Sequence, residues 1–508
     1  MALPDLIEIV PLDKPVHAEI TVPGSKSITN RTLILAALAE GEVTLQGALW
    51  SEDTQIMVEC LHELGFMVNV APDPNEFCNR TITVYGKGGV VPSGGTEQQP
   101  LELFVGNAGT AARFLSAFVC LGKGVYRLHG VPRMHERPQA ALFMALRELG
   151  YKVDSTNNKL PATIFGGGRD DFHGDPDQKG KNGDAVERVP TARSCTVSIE
   201  ESSQFASALL LCAKTGNWEI KIKGENADES PYVAMTTELI KAFPHQGGTF
   251  PIEPDASSGS YFWAAAAFGV VEKDAILDED DATLSVHDED KLIYAQNFVP
   301  TVQVRNWPNS GWQIDANFSD AIFAIASSSV SFGFEDEWNM LQNFGADWRD
   351  NSMVDRDFTF EPQCFSRNSD LGDSIMTAIV IAPFGIKPFR FTDLGRLRVQ
   401  ECERVVALRT EVTKCGAKVI EEGDTLTVYP SKLHSAEIET YNDHRMAMCF
   451  SILGLKVSGI KIKNPTCVKK TFPNFFQKLA AQPPHGLGAK ILDAKTGRPL
   501  THEELFAD

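Results

Sequence analysis

Six segments of the chain share one succession of polar and apolar positions. Each begins with a few Gly, Ser, Asn or Asp residues and continues as a run of small apolar residues long enough for a helix. A helix that is apolar on nearly every face lies buried in a protein core. The six segments are GSKSITNRTLILAALA from Gly24, GNAGTAARFLSAFVCLG from Gly106, ESSQFASALLLCA from Glu201, DASSGSYFWAAAAFG from Asp255, GDSIMTAIVIAPFG from Gly372 and NDHRMAMCFSILGL from Asn442.

A second type of helix and a set of strands accompany these buried helices. The β-branched runs HAEITV, TITVYG and WEIKIKG alternate as half-buried strands do. Amphipathic runs, which are typical of helices on a domain surface, follow five of the polar starts. The chain therefore repeats a strand-helix-strand-helix-strand unit six times. The five amphipathic runs are TQIMVECLHELG, PQAALFMALRELG, PYVAMTTELIKAF, CERVVALRTEVTKCG and FPNFFQKLAAQ.

The fourth unit departs from this period. Its amphipathic helix, EDEWNMLQNFGADW, spans residues 335–348 and begins about fifty residues late. We interpret residues 271–325 as an insertion, which is acidic near its start and strand-like at NFVPTVQVRNW.

The six units predict an α/β protein of two domains with three units each. A chain of 508 residues is too long for one ordinary core. We place the first domain at residues 25–250 and the second at residues 1–24 plus 251–508. The strand before Gly24 is thereby assigned to the second half, which gives two crossings between the domains.

Composition and charge narrow the class of protein. A hydrophobic content of 43% and a charged content of 22% are typical of a water-soluble globular protein, and no apolar run reaches the ~18 residues of a membrane span. The ten cysteines are scattered singly and the N-terminus lacks signal or transit features, so we expect a cytoplasmic protein. The net charge of −20 argues against a nucleic-acid partner.

The polar starts of the buried helices are candidate anion sites. The first N–H groups of a helix have no partner inside it and carry partial positive charge, so they attract anions. Ordinary capping by Ser, Asn and Asp is the alternative for each start taken alone. Basic side chains near the starts favour a substrate with two or more anionic groups. These are Lys26, Arg31, Arg113, Arg133, Arg137, Arg396, Arg398, Arg404, His444, Arg445, Lys469 and Lys470.

Three residues at or near the starts could transfer protons: Asp373, Glu401 and His444. Helix N–H donors would keep Asp373 ionised and able to act as a base, and capping is its alternative role. Glu401 could lie beside a bound substrate or only form an ion pair with Arg404. The chain has no P-loop, HExxH or EF-hand sequence, and we interpret the acidic run Asp278–Asp290 as a solvated loop. We therefore predict neither a metal ion nor a cofactor.

Seven motifs make the chain similar to the 5-enolpyruvylshikimate-3-phosphate synthase family. They are found in the family's order between about Val22 and about Leu479. The resemblance implies two inside-out α/β domains of three repeats each. It also implies transfer of the enolpyruvyl group of phosphoenolpyruvate to the 5-hydroxyl of shikimate 3-phosphate by a monomeric enzyme. The motifs are GSKSITNR, GNAGTAAR, PRMHERP, SSQ, PDASS, YNDHRMAM and CVKKTFP.

The resemblance also implies roles for individual residues. Asp373 takes the proton of the acceptor hydroxyl, Glu401 and Lys26 help to protonate the methylene carbon, and His444 completes the catalytic set. Phosphoenolpyruvate is bound by Lys26, Asn107, Gly109, Thr110, Arg137, Gln204, Arg404, Arg445 and Lys470. Shikimate 3-phosphate is bound by Lys26, Ser27, Arg31, Ser202, Ser203, Gln204, Tyr232, Asp373 and Gln400.

The departures from the family pattern lie on the acceptor side. Glu229 stands near the place of a usual serine, Gln400 replaces a lysine and Arg396 replaces an asparagine, whereas the residues for phosphoenolpyruvate are intact. The Gln-Gly-Asp-like turn that the family has in the fourth unit is lost at 331–334, where the sequence is SFGF. Two alternatives therefore stay open. One is an enolpyruvyl transferase that acts on a nucleotide or nucleotide sugar, and the other is a non-catalytic paralogue that binds anions.

Overall fold

The computed structural model describes residues 3–14, 16–167, 193–224, 230–267, 301–322, 325, 361–385 and 387–507. The helices are α1 (Lys26–Leu38), α2 (Glu52–Glu63), α3 (Gly109–Phe118), α4 (Pro132–Glu136), α5 (Ala140–Glu148), α6 (Gln204–Gly216), α7 (Pro231–Ala242), α8 (Ala256–Ala267), α9 (Ile375–Ile381), α10 (Arg404–Lys414), α11 (His444–Gly454) and α12 (Phe475–Ala480). The strands are β1 (Leu6–Ile9), β2 (Ala18–Ile20), β3 (Glu42–Leu49), β4 (Val68–Pro72), β5 (Asn79–Tyr85), β6 (Leu101–Phe104), β7 (Lys123–His129), β8 (Lys152–Asp154), β9 (Ala162–Gly167), β10 (Arg193–Ser198), β11 (Trp218–Lys223), β12 (Gly248–Pro251), β13 (Val302–Val304), β14 (Gln363–Ser366), β15 (Phe389–Thr392), β16 (Val419–Glu422), β17 (Thr425–Val428), β18 (Ala436–Ile438), β19 (Ile460–Lys463) and β20 (Ile491–Asp493).

The strands of the described residues form four four-stranded sheets and two parallel pairs. Each four-stranded sheet joins one parallel pair to two antiparallel pairs. In the first sheet β12 runs parallel to β3, while β3 and β4 run antiparallel to β5. The other three follow the orders β6-β7-β9-β8, β14-β15-β17-β16 and β18-β19-β1-β20, and the pairs are β10-β11 and β13-β2.

Six buried helices form two groups of three. Helices α1, α3 and α6 contact one another, and so do α8, α9 and α11. All residues of α3 are buried, because its small apolar side chains let helices and sheets approach on every side. Two hydrophobic clusters result. One contains residues between 28 and 252, and the other contains residues between 3 and 22 and between 261 and 507. None of the described helices has the length and apolar character that crossing a bilayer requires.

Two chain segments cross side by side between these clusters. The Ser25 N–H donates to the Glu253 carbonyl at 2.8 Å, so the first crossing is tied to the second. A Cβ atom on Gly24 would lie 2.0 Å from the carbonyl oxygen of Gly47, and only glycine permits this approach. The N-terminal strands β1 and β2 complete sheets that pack in the second cluster.

Residues 301–322, within the range interpreted as an insertion, pack into the second cluster. Strand β13 pairs with β2, and the side chains of Phe318 and Ile322 are completely buried. The Trp307 ring lies against Gly259 of α8, where a Cβ atom would come within 2.2 Å of it. These residues are therefore part of the domain core. The acidic run Asp278–Asp290, the 331–334 segment and the predicted helix at 335–348 lie outside the described residues.

Candidate active site

A polar cavity lies between the two clusters, where the buried helices begin. Both halves of the chain contribute to its walls, and basic and acidic side chains alternate around it. The starts of all six buried helices therefore converge on one cavity. The predicted site residues that line the cavity are Lys26, Ser27, Gly109, Thr110, Arg137, Ser202, Ser203, Gln204, Tyr232, Asp373, Gln400, Glu401, Arg404, His444 and Arg445.

Arg31 does not line the cavity. Its side chain is buried in the first cluster, where the guanidinium donates to Thr236 Oγ1 at 2.8 Å, to Ser207 Oγ at 3.1 Å and to the Ser27 carbonyl at 2.9 Å. All three acceptors belong to the buried helices or to α7. In the ligand-free protein the Arg31 guanidinium is thus paired inside the first cluster, and its contact with shikimate 3-phosphate stays a prediction.

Asn107 and Lys470 lie directly behind the cavity wall. The Asn107 carbonyl accepts a hydrogen bond from Arg137 Nη1 at 3.3 Å, and so helps to orient a guanidinium that does face the cavity. Lys470 Nζ lies 3.1 Å from Glu401 Oε1. Both residues can act on a ligand through these neighbours. Glu229 lies outside the described residues.

Arg404 is the cation around which the carboxylates of the site are arranged. It begins α10 and is 1% exposed. Its Nε donates to Asp443 Oδ2 at 2.6 Å, its Nη2 lies 2.9 Å from Glu401 Oε2, and its Nη1 lies 3.9 Å from Asp373 Oδ2. Nη1 also donates to the side-chain oxygen of Gln400. One guanidinium therefore fixes the positions of both predicted proton-transfer carboxylates.

Asp373 is surrounded by three guanidinium groups. Arg367 Nη2 donates to Oδ1 at 2.6 Å, and Arg445 Nη2 lies 3.4 Å from Oδ2. Burial disfavours the ionised carboxylate, but Arg367, Arg445 and Arg404 outweigh burial and hold the pKa of Asp373 below its usual range. In the ligand-free protein Asp373 is therefore an ionised carboxylate that can accept a proton.

Glu401 and His444 lie on the opposite side of Arg404. Burial again opposes ionisation of Glu401, and Lys470, Arg404 and Arg137 together hold its pKa well below the usual value. Burial lowers the pKa of His444 strongly, so its imidazole is neutral. Neither ring nitrogen has a hydrogen-bond partner among the described residues. A buried imidazole in that state calls for a ligand or water to hydrogen-bond with it.

Three cavity guanidinium groups carry buried Nε–H donors without a partner in the described part of the chain. They belong to Arg113, Arg137 and Arg367. Leaving such a donor unpaired costs about 1–3 kcal/mol, so each indicates a group that is supplied on binding. Gln204, at the start of α6, joins this helix to α3, since its Oε1 accepts from Arg113 Nη1 at 2.6 Å and its Nε2 donates to Thr110 Oγ1 at 3.2 Å.

The described residues hold no cluster of three or more metal-ligand side chains.

Sequence reasoning missed several cavity residues, among them Arg367 and Asp315. Asp315 belongs to the segment interpreted as an insertion, in a Gln-x-Asp sequence at Gln313–Asp315. Its Oδ1 accepts from Ser257 Oγ at 2.6 Å and from the Ser374 N–H at 2.8 Å. Asp315 thereby braces the turn that carries Asp373. The signal available was this Gln-x-Asp sequence in the fourth unit.

Asp315 makes stability depend on pH. Burial, followed by the charge of Asp373, raises the pKa of Asp315 from 3.8 to about 6. The folded protein therefore binds this proton more tightly than the unfolded chain, and its contribution to stability falls as pH rises through this window. Asp315→Asn keeps the hydrogen-bond acceptor without the charge. In urea titrations we expect the free energy of unfolding of this variant to exceed that of wild type by about 1–3 kcal/mol at pH 7 and by little near pH 4. A variant less stable than wild type at pH 7 would contradict this assignment.

The sequence matches the family described as EPSP synthase (3-phosphoshikimate 1-carboxyvinyltransferase) over residues 11–272 and 327–479. A 3-phosphoshikimate 1-carboxyvinyltransferase of Trichormus variabilis is 33% identical, covering 93% of this chain and 98% of the relative. One from Burkholderia ambifaria is also 33% identical, with 91% and 96% covered. The unmatched stretch, 273–326, includes the core-packed residues 301–322.

Two solved structures have the same fold. The EPSP synthase of Acinetobacter baumannii superposes with a TM-score of 0.57 at 19% identity, covering 96% of this chain and 99% of that one. The enolpyruvyl transferase NikO of Streptomyces tendae gives 0.55 at 14% identity, with 99% and 100% covered. The predicted two-domain α/β fold class is confirmed, and it is that of the enolpyruvyl transferases. The chain belongs to the EPSP synthase family.

Proposed function

We propose that this protein transfers the carboxyvinyl group of phosphoenolpyruvate to the 5-hydroxyl of shikimate 3-phosphate and releases phosphate. The observation that carries the proposal is the interdomain cavity, where Arg137, Arg404 and Arg445 converge with two ionised carboxylates, Asp373 and Glu401. The family membership supports the same reaction. All ten cysteines are free thiols, which supports a cytoplasmic enzyme, and we propose that it works as a monomer.

Binding of the donor follows from charge and reach. Phosphoenolpyruvate carries a carboxylate and a phosphate, and the cavity presents enough donors for both from Arg137, Arg404, Arg445 and Lys26. Lys470, behind the wall, acts through Glu401. Ser202, Ser203 and Tyr232, on the first-domain wall, face the acceptor. Closure of the two halves on these anions brings the acceptor hydroxyl to the donor carbon and excludes water.

Proton transfer uses the two carboxylates in different roles. Lys26 delivers a proton to the methylene carbon, and positive charge develops at C2 of phosphoenolpyruvate. Glu401 takes part in this delivery once the bound anions neutralise Arg404 and Arg137, which hold its pKa low in the ligand-free protein. Asp373 takes the proton of the 5-hydroxyl, and the alkoxide adds to C2 to give a tetrahedral ketal. Loss of phosphate, together with a proton from the new methyl group, then forms the enol ether product. The bound anions neutralise the same guanidinium groups that lower the pKa of Asp373, so its basicity rises when the substrates are in place.

A phosphate-release assay with phosphoenolpyruvate tests the proposal. We expect release with shikimate 3-phosphate and none above background with uridine nucleotides or nucleotide sugars. Release with a uridine acceptor alone would identify an enolpyruvyl transferase with another acceptor. No release with any acceptor, from protein that still binds phosphoenolpyruvate, would indicate the non-catalytic paralogue.

A further inference from the structure

Two cavity arginines, Arg367 and Arg396, have no substrate role in the proposed function. Both lie on the second-domain side, near Tyr232 and Asp373. Gln400 stands where the family usually has a lysine and supplies no charge there. Its side-chain oxygen already accepts a hydrogen bond from Arg404. The acceptor side therefore lacks the charge of that lysine and carries the charge of Arg396 where the family usually has an asparagine.

Arg367 is held rigidly with one donor unused. It follows β14 at the start of the turn Arg367–Leu371 and is 5% exposed. Its Nη2 donates to Asp373 Oδ1 at 2.6 Å, while its buried Nε–H has no partner among the described residues. A planar guanidinium with one edge on a carboxylate and a free donor can still bind a second anion.

Arg396 reaches across the cavity to the first domain. Its Nη2 donates to the Ile199 carbonyl at 2.6 Å, three residues before Ser202. Arg367 and Arg396 line the same cavity, where burial, and then the charge of Arg367, lowers the pKa of Arg396, so the two like charges repel each other in a partly desolvated wall. Such a pair is unfavourable until an anion lies between its members.

We infer that Arg367 and Arg396 form the subsite for the 3-phosphate of the acceptor. A phosphate oxygen bound here would lie between these guanidinium groups and the hydroxyls of Ser202 and Ser203. This inference rests on the proposed function, since it takes shikimate 3-phosphate as the acceptor. It explains the arginine at position 396, in place of the family's asparagine, as a cation that binds the phosphate of the same acceptor. No change of acceptor is needed.

Equilibrium binding of two ligands tests this subsite without turnover. Shikimate 3-phosphate and shikimate differ only in the phosphate, and both can be titrated calorimetrically into the full chain without phosphoenolpyruvate. We expect Arg396→Asn to weaken binding of shikimate 3-phosphate by about 10–100-fold and to leave shikimate within about threefold of wild type. Arg396→Lys, which keeps the charge but not the planar fork, should lose less.

Two further variants sharpen the test. Arg367→Gln should show the same phosphate-specific loss. Arg390→Asn removes an arginine that is 45% exposed on β15, away from the cavity, and should change neither affinity. Equal weakening of both ligands in folded Arg396→Asn, or an unchanged affinity for shikimate 3-phosphate, would overturn the subsite while leaving the proposed function standing. Wild-type protein that binds no shikimate 3-phosphate would overturn both.

Discussion

An Asp373→Asn variant is expected to turn over phosphoenolpyruvate and shikimate 3-phosphate about 10²–10⁴-fold more slowly than wild type. Asparagine has the shape of aspartate but cannot take the proton of the acceptor hydroxyl. The hydroxyl must then add without a base, while the cations around the site remain in place. Steady-state phosphate release at saturating substrates measures the loss directly in kcat.

The same variant should bind its substrates at least as tightly as wild type. Asp373 neutralises part of the charge of Arg367 and Arg445, so its removal leaves both guanidinium groups freer to bind anions. Asp393→Asn is a matched control, since Asp393 is exposed and has a positive φ of 61° that asparagine also tolerates. A fall in kcat of less than about tenfold for Asp373→Asn would remove Asp373 from the role of base.

The features that sequence reasoning predicts well are local ones. A polar start followed by an apolar run is written in consecutive residues, so Gly109, Gln204 and His444 can be placed at the first turn of buried helices without any tertiary information. The convergence of these starts follows because each repeated unit places its buried helix in the same way. Fifteen predicted residues therefore reach one cavity.

The direction of a side chain around its helix is harder to predict from sequence than the position of the helix start, as Arg31 shows. It lies five residues after Lys26 in α1, which places the two side chains about 140° apart around the helix axis. Lys26 faces the cavity, with Nζ 3.4 Å from Asp53 Oδ2. Arg31 consequently points into the first cluster, where Thr236 and Ser207 accept its hydrogen bonds. A motif alone does not separate these two directions.

Sequence reasoning missed residues that long-range packing brings to the site. Asp315 reaches the site because β13 pairs with β2, a contact between positions almost three hundred residues apart in sequence. Arg367 precedes the buried helix by a turn with no regular period. Both act on Asp373 from outside its own helix, so the electrostatics of the catalytic carboxylate depend on packing that the motif set does not contain.

The second large effect is expected on stability, from Arg404→Leu. Removing this guanidinium leaves Asp443, Glu401 and Asp373 without the cation they share, and breaking a buried ion pair typically costs about 3–5 kcal/mol. Arg409→Leu is the control on the same helix. Arg409 is 44% exposed and pairs with Glu421 at 3.3 Å, so its loss should cost at most about 1 kcal/mol. Urea unfolding at pH 7 measures both.

The pH dependence separates loss of charge from loss of packing in Arg404→Leu. In wild type Asp373 and Glu401 have lower pKa values in the folded protein than in the unfolded chain, so they stabilise the fold at a pH above the unfolded pKa. This contribution is lost as pH falls below about 4. In the variant the buried carboxylates lack Arg404, so protonation removes a buried charge that has lost its partner. Lowering the pH therefore destabilises the variant less than it destabilises wild type. The difference between the two proteins should therefore narrow from pH 7 toward pH 4. A difference that stays constant over that range would mean that Arg404 stabilises the protein through its aliphatic packing, because packing does not titrate with the carboxylates.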